Sequence, residues 1–178
     1  MTQLDFMLSP AVKPKEKVLR LADFMKTKPH EIKNVIDWAQ SSRLPMQSLV
    51  MEAFEIYTRS HNKDESRIIW QFACAGVQSN HPSLIRESAR VLANIANSHI
   101  DFAGDAIPRL LELTEHAGTV VRWSAAQALT SICSADEKLN YNLNPVLESI
   151  ASREEKMSIR KIYLKALVKL AKRKSIVN

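Results

Sequence analysis

Apolar residues along this chain recur with the spacing of amphipathic α-helices. Between residues 121 and 132 an apolar side chain follows every three or four positions, so one face of the predicted helix is apolar. Two of the five residues on that face are alanines, which lets a neighbouring helix approach closely. The same pattern begins at Ile85 and Ile159, 36 residues before and 38 residues after Val121, and a fainter copy begins at Leu49. This recurrence indicates an internal structural repeat.

The breaks between the apolar patterns predict nine helices in one all-α domain covering residues 1–178. An irregular arm (1–13) precedes a capping helix (15–25), and four helical hairpins follow. The first two hairpins begin at about Pro29 and Asp64, the third pairs Asp101–His116 with Thr119–Ser134, and the fourth pairs Leu139–Ser152 with Met157–Lys172. Each hairpin leaves apolar surface that only its neighbours can bury, so we expect a stacked α–α superhelix rather than a closed bundle.

Several positions within these patterns resemble HEAT repeats. In the second helix of that family a β-branched residue precedes an arginine and alanine and leucine follow, as around Arg122 and Arg160 here. Pro108 and Pro145, 37 residues apart, resemble the proline in the family's first helix. The resemblance covers residues 29–174. It implies a short right-handed α-solenoid of the HEAT or armadillo type, with the second helices lining its concave side.

HEAT repeats also tend to pair an aspartate or asparagine with the arginine six residues later. Asn80 and Arg86 have that spacing. In the third and fourth repeats the equivalent positions hold His116 and Glu154 instead. The resemblance therefore implies a side-chain link between Asn80 and Arg86.

The concave face is the best candidate binding surface in the sequence. Aligning the second helices and removing the buried positions leaves residues expected to point outwards there. On the first two helices these include Met51, Phe54, Glu55, Thr58, Glu87 and Val91. The candidate partner-binding residues are Arg90, Asn94, Trp123, Gln127, Lys161 and Lys165. An exposed tryptophan is a favoured interface anchor, although Trp123 is also explained by packing over the neighbouring repeat.

The C-terminal helix is strongly basic. Residues 160–174 contain seven cations and no acid, and Lys161, Lys165, Lys169 and Lys172 form one stripe. Residues 137–178 carry a net charge of +6, which is that of the whole chain. Such an asymmetry indicates an acidic partner, nucleic acid or a membrane surface. The alternative is the solvated polar face that a terminal repeat requires.

The sequence contains no motif of an enzyme, a metal site or a cofactor site. Three glycines are too few for a phosphate-binding loop, and no histidine or cysteine pair has metal-ligand spacing. Cys74 and Cys133 are interpreted as reduced core thiols of a cytoplasmic protein. No signal peptide and no apolar run of the ~18 residues that span a bilayer are found, so no membrane partner is expected.

The sequence therefore predicts a non-enzymatic scaffold that binds another macromolecule, in the first place a protein, on its concave face. An alternative is a nucleic-acid-binding protein of the alkylpurine DNA glycosylase type, a HEAT-like enzyme with a tryptophan and an aspartate in a basic groove. Trp123 and Arg90 fit that pattern, but the acids available are Glu55 and Glu87. A chaperone or lyase-subunit role, like that of short bacterial HEAT-like proteins acting on pigment proteins, is a further alternative that no residue singles out.

Overall fold

A computed structural model gives the fold of the protein. It describes residues 4, 7–61 and 67–177, with side chains as far as Lys172. Of the described residues 84% are helical, and none forms a strand. The α-helices are α1 Pro14–Thr27, α2 Ile32–Gln40, α3 Leu44–Ser60, α4 Arg67–Val77, α5 Pro82–Ile95, α6 Ile107–Leu113, α7 Thr119–Ala135, α8 Glu137–Arg153 and α9 Met157–Val177. The all-α prediction is confirmed.

The helices after α1 form four hairpins, α2–α3, α4–α5, α6–α7 and α8–α9. Their second helices begin at Leu44, Pro82, Thr119 and Met157, so consecutive starts lie 38, 37 and 38 residues apart. These second helices pack side by side in chain order, and α1 packs against α3 at the start of the row. The predicted solenoid with a capping helix is confirmed.

Prolines set where several helices begin. Pro14, Pro45, Pro82 and Pro108 each occupy one of the first two positions of their helix, where a backbone N–H has no helical partner to lose. The helix predicted over residues 101–116 is confirmed only for Ile107–Leu113. The chain forms a 3₁₀ segment over Ile100–Asp105, and α6 begins only at Ile107, next to Pro108.

Part of the N-terminal arm packs on the domain. Leu4 and Met7 have helical backbone, and the Leu8 N–H donates to the Leu4 carbonyl over 2.9 Å. Leu4 and Leu8 are both buried in the hydrophobic core. Residues expected to be irregular therefore extend the core beyond α1.

None of the helices within the described ranges has the length and apolar character needed to cross a membrane.

Arginines connect the inter-helix turns to the following helices, but not in the way the family resemblance implied. Arg122 donates to the carbonyl of His116 over 2.9 Å, and Arg160 donates to that of Glu154 over 2.8 Å, each six residues back. Arg122 also pairs with the Glu154 carboxylate of the next hairpin over 3.0 Å. The predicted Asn80–Arg86 link is wrong. Arg86 pairs with Glu87 instead.

The repeat pattern predicted that alanines lie buried where the second helices approach one another. Ala89 on α5 and Ala125 on α7 are both fully buried, as the repeat pattern predicted. An alanine at such a position keeps the two backbones close because its side chain is a single methyl group.

Ala125→Leu is expected to lower the free energy of unfolding by about 2 kcal/mol, because three additional carbons have no space between packed helices. Urea denaturation followed by circular dichroism measures the loss. Val120→Leu, at an exposed position on the same helix, is the control and should leave stability nearly unchanged. Equal stability of the two variants would show that residue 125 does not face a neighbouring helix.

Candidate binding groove

A polar groove runs across three consecutive second helices. It has a volume of about 340 Å³. It is lined by Ala93 and Asn97 of α5, Thr130, Ser131 and Ser134 of α7, and Lys165, Ala166 and Lys169 of α9. The groove exists because small residues on these three helices leave space between the larger side chains at its edges.

Most polar side chains of the groove have no partner within the described part of the protein. Thr130 and Ser134 donate their hydroxyl groups to carbonyls of their own helix. Asn97, Ser131 and Lys169 form no hydrogen bond or ion pair with any described residue. These groups are solvated in the free protein and are available to a ligand.

Two candidate residues continue the α7 side of the groove. Gln127 lies one turn before Ser131, and Trp123 lies one turn before Gln127, so all three share one stripe of the helix. Both residues are partly exposed, and Trp123 also packs against the hydrophobic core. Trp123 therefore packs against the core while part of its side chain stays exposed, and its role as an interface anchor stays a prediction.

The two candidate lysines lie on α9. Lys165 lines the groove itself, and Lys161 precedes it by one turn on the same stripe. Both side chains are exposed and have no ion pair among the described residues. Lys169, also in the groove, belongs to the predicted basic stripe, whereas the side chains of Arg173 and Lys174 lie outside the described part of the chain.

Arg90 belongs to a charge network that connects α3 to α5. Its guanidinium group contacts the Glu55 carboxylate over 2.9 Å and the Glu87 carboxylate over 3.0 Å. The side chains of Glu55 and Glu87 are only 5% and 2% exposed, whereas that of Arg90 is 29% exposed. Glu55 forms a second ion pair with Arg59, and Glu87 forms a second ion pair with Arg86.

Arg59 takes part in this network from the solvent side. The hydrogen bond from Arg59 to Glu55, supported by the carboxylate charge, raises the pKa of the Arg59 guanidinium group. Both carboxylates are engaged by arginines and withdrawn from solvent. They hold the first two second helices together rather than presenting a free acid on the concave side.

Asn94 also has an internal role. Its amide group donates to the Glu55 carbonyl over 3.2 Å and to the Thr58 hydroxyl over 3.1 Å. Asn94 thus connects α5 to α3 beside the Arg90 network. Of the six residues proposed from the sequence, Arg90 and Asn94 join neighbouring helices, while Trp123, Gln127, Lys161 and Lys165 lie in or beside the groove.

Other positions expected to face outwards are buried. Met51, Phe54, Thr58 and Val91 are fully enclosed, as are the Glu55 and Glu87 side chains described above. The apolar spacing predicted a single buried face on each second helix. An inner helix such as α5 contacts its own first helix and the second helices on both sides, so its buried arc is broader.

The Cys74 thiol is not activated, and no metal-ligand cluster occurs among the described residues. Burial raises the pKa of the half-buried Cys74 thiol to about 12, with the Asp105 charge adding to the effect, so this thiol is protonated at neutral pH. Cys133 is fully buried. No three side chains of histidine, cysteine, aspartate or glutamate in the described ranges converge as metal ligands would.

Comparison with known proteins identifies the fold. No family model matches the sequence, and no curated protein matches it. Among solved structures, a designed armadillo repeat protein superposes with a TM-score of 0.67 at 15% identity, covering 92% of this chain and 79% of that one. This chain has the fold of an armadillo-type α-solenoid.

Two further solved structures agree with this assignment. A designed armadillo repeat protein in complex with the peptide (KR)4 has a TM-score of 0.68 at 14% identity and covers 93% of this chain and 80% of that one. An engineered protein has a TM-score of 0.69 at 14% identity, with 93% of this chain and 78% of that one covered. At these identities the likeness concerns the solenoid and its stacked hairpins.

Proposed function

We propose that this protein is a non-enzymatic scaffold that binds a segment of another protein in the groove across α5, α7 and α9. The observation that carries the proposal is the set of polar side chains in the groove without an internal partner, represented by Asn97, Ser131 and Lys169. A rigid row of helices presents these groups at fixed spacing, so little conformational entropy is lost in the scaffold when a segment binds.

The dimensions of the groove suit an extended segment. Neighbouring helices pack with axes about 8–10 Å apart, so a segment crossing from α5 to α9 covers about 20 Å. An extended chain advances by roughly 3.3 Å per residue, which corresponds to about six residues. The similar solenoid solved in complex with the peptide (KR)4 supports this type of ligand.

The glycosylase-type alternative lacks its acid. That reaction requires a carboxylate facing the groove, and the acids considered for it were Glu55 and Glu87. Both are buried and paired with arginines, including the shared partner Arg90. The observations therefore favour binding over catalysis.

A displayed library of random 12-residue peptides, selected against the purified protein, tests the proposal. Selected peptides should lose at least about tenfold in affinity for Ser131→Trp, which fills the groove from a partly exposed position. Ser149→Trp, at an exposed site on α8, is the matched control. If no peptide is selected, or if the selected peptides bind Ser131→Trp as well as the unaltered protein, the groove is not a peptide-binding site.

Trp123→Ala should weaken binding of the same selected peptides by about 2 kcal/mol, because it removes the largest side chain beside the groove. Fluorescence anisotropy measures the affinity, and thermal unfolding checks that each variant is folded at the assay temperature. Trp38→Ala on α2, also a partly buried tryptophan, is the matched control and should leave affinity unchanged. Equal losses for the two variants would mean that the effect comes from altered packing rather than from contact with the peptide.

A further inference from the structure

We infer that the segment bound in the groove is acidic, with a carboxylate placed over α9 between Lys165 and Lys169. The inference rests on the proposed function and adds the chemistry of the partner. The solenoid solved with the peptide (KR)4 holds a ligand of the opposite charge. The charges of this groove therefore predict a different specificity on a similar fold.

The lining of the groove is cationic. Lys165 and Lys169 contribute two positive charges, and no acid lines it. Neither lysine has an ion pair among the described residues, and the same holds for Lys161 one turn earlier on the stripe. No charge within the described protein neutralises these ammonium groups, so their field is directed to solvent and to whatever occupies the groove.

A charge network on α3 and α5 also carries a net positive charge. Its two carboxylates, Glu55 and Glu87, are shared by the three guanidinium groups of Arg59, Arg86 and Arg90, which leaves one positive charge in excess. The carboxylates are almost completely enclosed, whereas the arginine side chains are 60%, 37% and 29% exposed. Solvent therefore meets the guanidinium groups of this network rather than its two carboxylates.

The exposed acid Glu52 on α3 has no ion pair in the described structure, and it lies on the second helix farthest along the row from α9. A segment that crosses α9 and α7 meets the lysines before it reaches α3. Acidic selectivity is thus expected at the α9 end of the segment and not along its whole length.

The spacing of the lysines accommodates one carboxylate. Lys165 and Lys169 are one helical turn apart, a rise of about 6 Å along α9. A carboxylate lying between the two ammonium groups accepts a charge-assisted hydrogen bond from each, at about 2.8 Å. Ala166 lies between the lysines in the groove lining and leaves space for the approaching side chain. Asn97 and Ser131 supply neutral donors for the rest of the segment.

The distribution of charge favours a peptide over nucleic acid. The three lysines without partners occupy one stripe that extends about 12 Å along a single helix. Duplex DNA carries a charge about every 1.7 Å, and its binding proteins commonly contact six to ten phosphates. A single short stripe matches a few carboxylates of a peptide more closely than a continuous phosphate backbone.

Fluorescence anisotropy with four labelled probes tests the inference on the complete chain. The probes are the 12-residue peptides (Ser-Glu)6, (Ser-Gln)6 and (Ser-Lys)6 and a 20-base-pair DNA duplex, all at the same ionic strength. We expect (Ser-Glu)6 to bind at least about tenfold more tightly than (Ser-Gln)6, with no measurable binding of (Ser-Lys)6. The double variant Lys165→Glu/Lys169→Glu should lower the affinity for (Ser-Glu)6 at least about tenfold.

The matched control changes the same net charge elsewhere. Lys15→Glu/Lys138→Glu replaces two exposed lysines of α1 and α8, outside the groove, and should alter the affinity for (Ser-Glu)6 by less than about threefold, because solvent and salt screen distant surface charges. All four substituted positions are exposed and without ion pairs in the described structure, so both double variants should fold as the unaltered protein does.

Three results would overturn the inference. Tighter binding of (Ser-Gln)6 or (Ser-Lys)6 than of (Ser-Glu)6, or no binding of (Ser-Glu)6, shows that the groove does not select acids. Tighter binding of the duplex, with a steep loss of affinity on adding salt, assigns the lysines to nucleic acid. Equal losses of affinity for (Ser-Glu)6 in the two double variants would show that the overall net charge, and not the groove, causes the binding. In the first and third cases the proposed function could still hold. It would be supported if peptides selected from the random library bound the Ser131→Trp variant more weakly than the unaltered protein.

Discussion

Arg90→Ala will lower the free energy of unfolding by about 3–4 kcal/mol, because one side chain serves two buried carboxylates. Arg90 contacts Glu55 over 2.9 Å and Glu87 over 3.0 Å, and these contacts connect α3 to α5. Without Arg90, each carboxylate keeps one arginine partner. Both lose the positive charge that they share, in a site almost closed to water. Urea denaturation monitored by circular dichroism measures the loss.

Arg59→Ala provides the comparison within the same network. Its side chain is 60% exposed and pairs with Glu55 one turn away on the same helix, so its removal should cost less than about 1 kcal/mol. Arg90→Lys keeps the charge but not the two-armed geometry, and its stability should fall between those of the two alanine variants. If Arg90→Ala were as stable as Arg59→Ala but bound the selected peptides more weakly, Arg90 would be a ligand contact rather than a structural connection.

Glu154→Ala is expected to lower the free energy of unfolding by about 2–3 kcal/mol at pH 7. The substitution removes the ion pair that joins the third hairpin to the fourth. The Glu154 carboxylate pairs with Arg122 over 3.0 Å and accepts from the Lys156 N–H over 2.9 Å. It lines a polar cleft between the two hairpins that is open to water, so the loss should be smaller than for Arg90.

The loss should also depend on pH. Burial disfavours the charged form of Glu154, but the hydrogen bonds from Arg122 and Lys156 and the charges of Arg122 and Arg160 outweigh it, so the pKa of Glu154 lies below its ordinary value. A carboxyl group with a lowered pKa stabilises the fold above its unfolded pKa of about 4.3 and loses that contribution as the pH falls through its folded pKa. The stability difference between the unaltered protein and Glu154→Ala should therefore narrow from pH 7 towards pH 3.

Glu155→Ala is the matched control for both measurements. This neighbouring glutamate is exposed and has no ion pair in the described structure, so its removal should change stability little at either pH. A pH-independent difference between Glu154→Ala and the unaltered protein would mean that the residue contributes through its backbone turn and side-chain packing rather than through its charge.

The turn arginines show how far a family pattern in the sequence can be trusted. Arg122 and Arg160 were identified by their place after a β-branched residue, and both do connect a turn to its following helix. Their acceptors are main-chain carbonyls, which every residue carries, so the chemical type of the residue six positions earlier does not decide whether the link forms. Arg86 pairs with the neighbouring Glu87 carboxylate, and Asn80 is left exposed.

Only some residues of the groove could be predicted from the sequence. The basic stripe and Trp123 were visible in the sequence because unusual residues recur at helical spacing. Asn97 and Ser131 were not identified, since small polar residues on a helix ordinarily indicate only a solvated surface, and Ala166 was assigned to the apolar face of its helix. They become part of a site because three helices bring them together around one hollow. They lie 12, 10 and 7 residues after Ile85, Val121 and Ile159, so aligning the repeats does not point to them.

The sequence by itself determined the helical class, the repeat length and the buried alanines, because these depend on apolar spacing within one helix or on its recurrence along the chain. Only the tertiary structure decided which faces are enclosed and which charges are shared. Gly76 illustrates the reason, since a Cβ at that position would lie 2.0 Å from the Ser88 hydroxyl oxygen of α5. Nothing near Gly76 in the sequence signals this approach. Contacts between helices depend on how each is rotated and how closely it packs, and three neighbours together set those quantities for an inner helix.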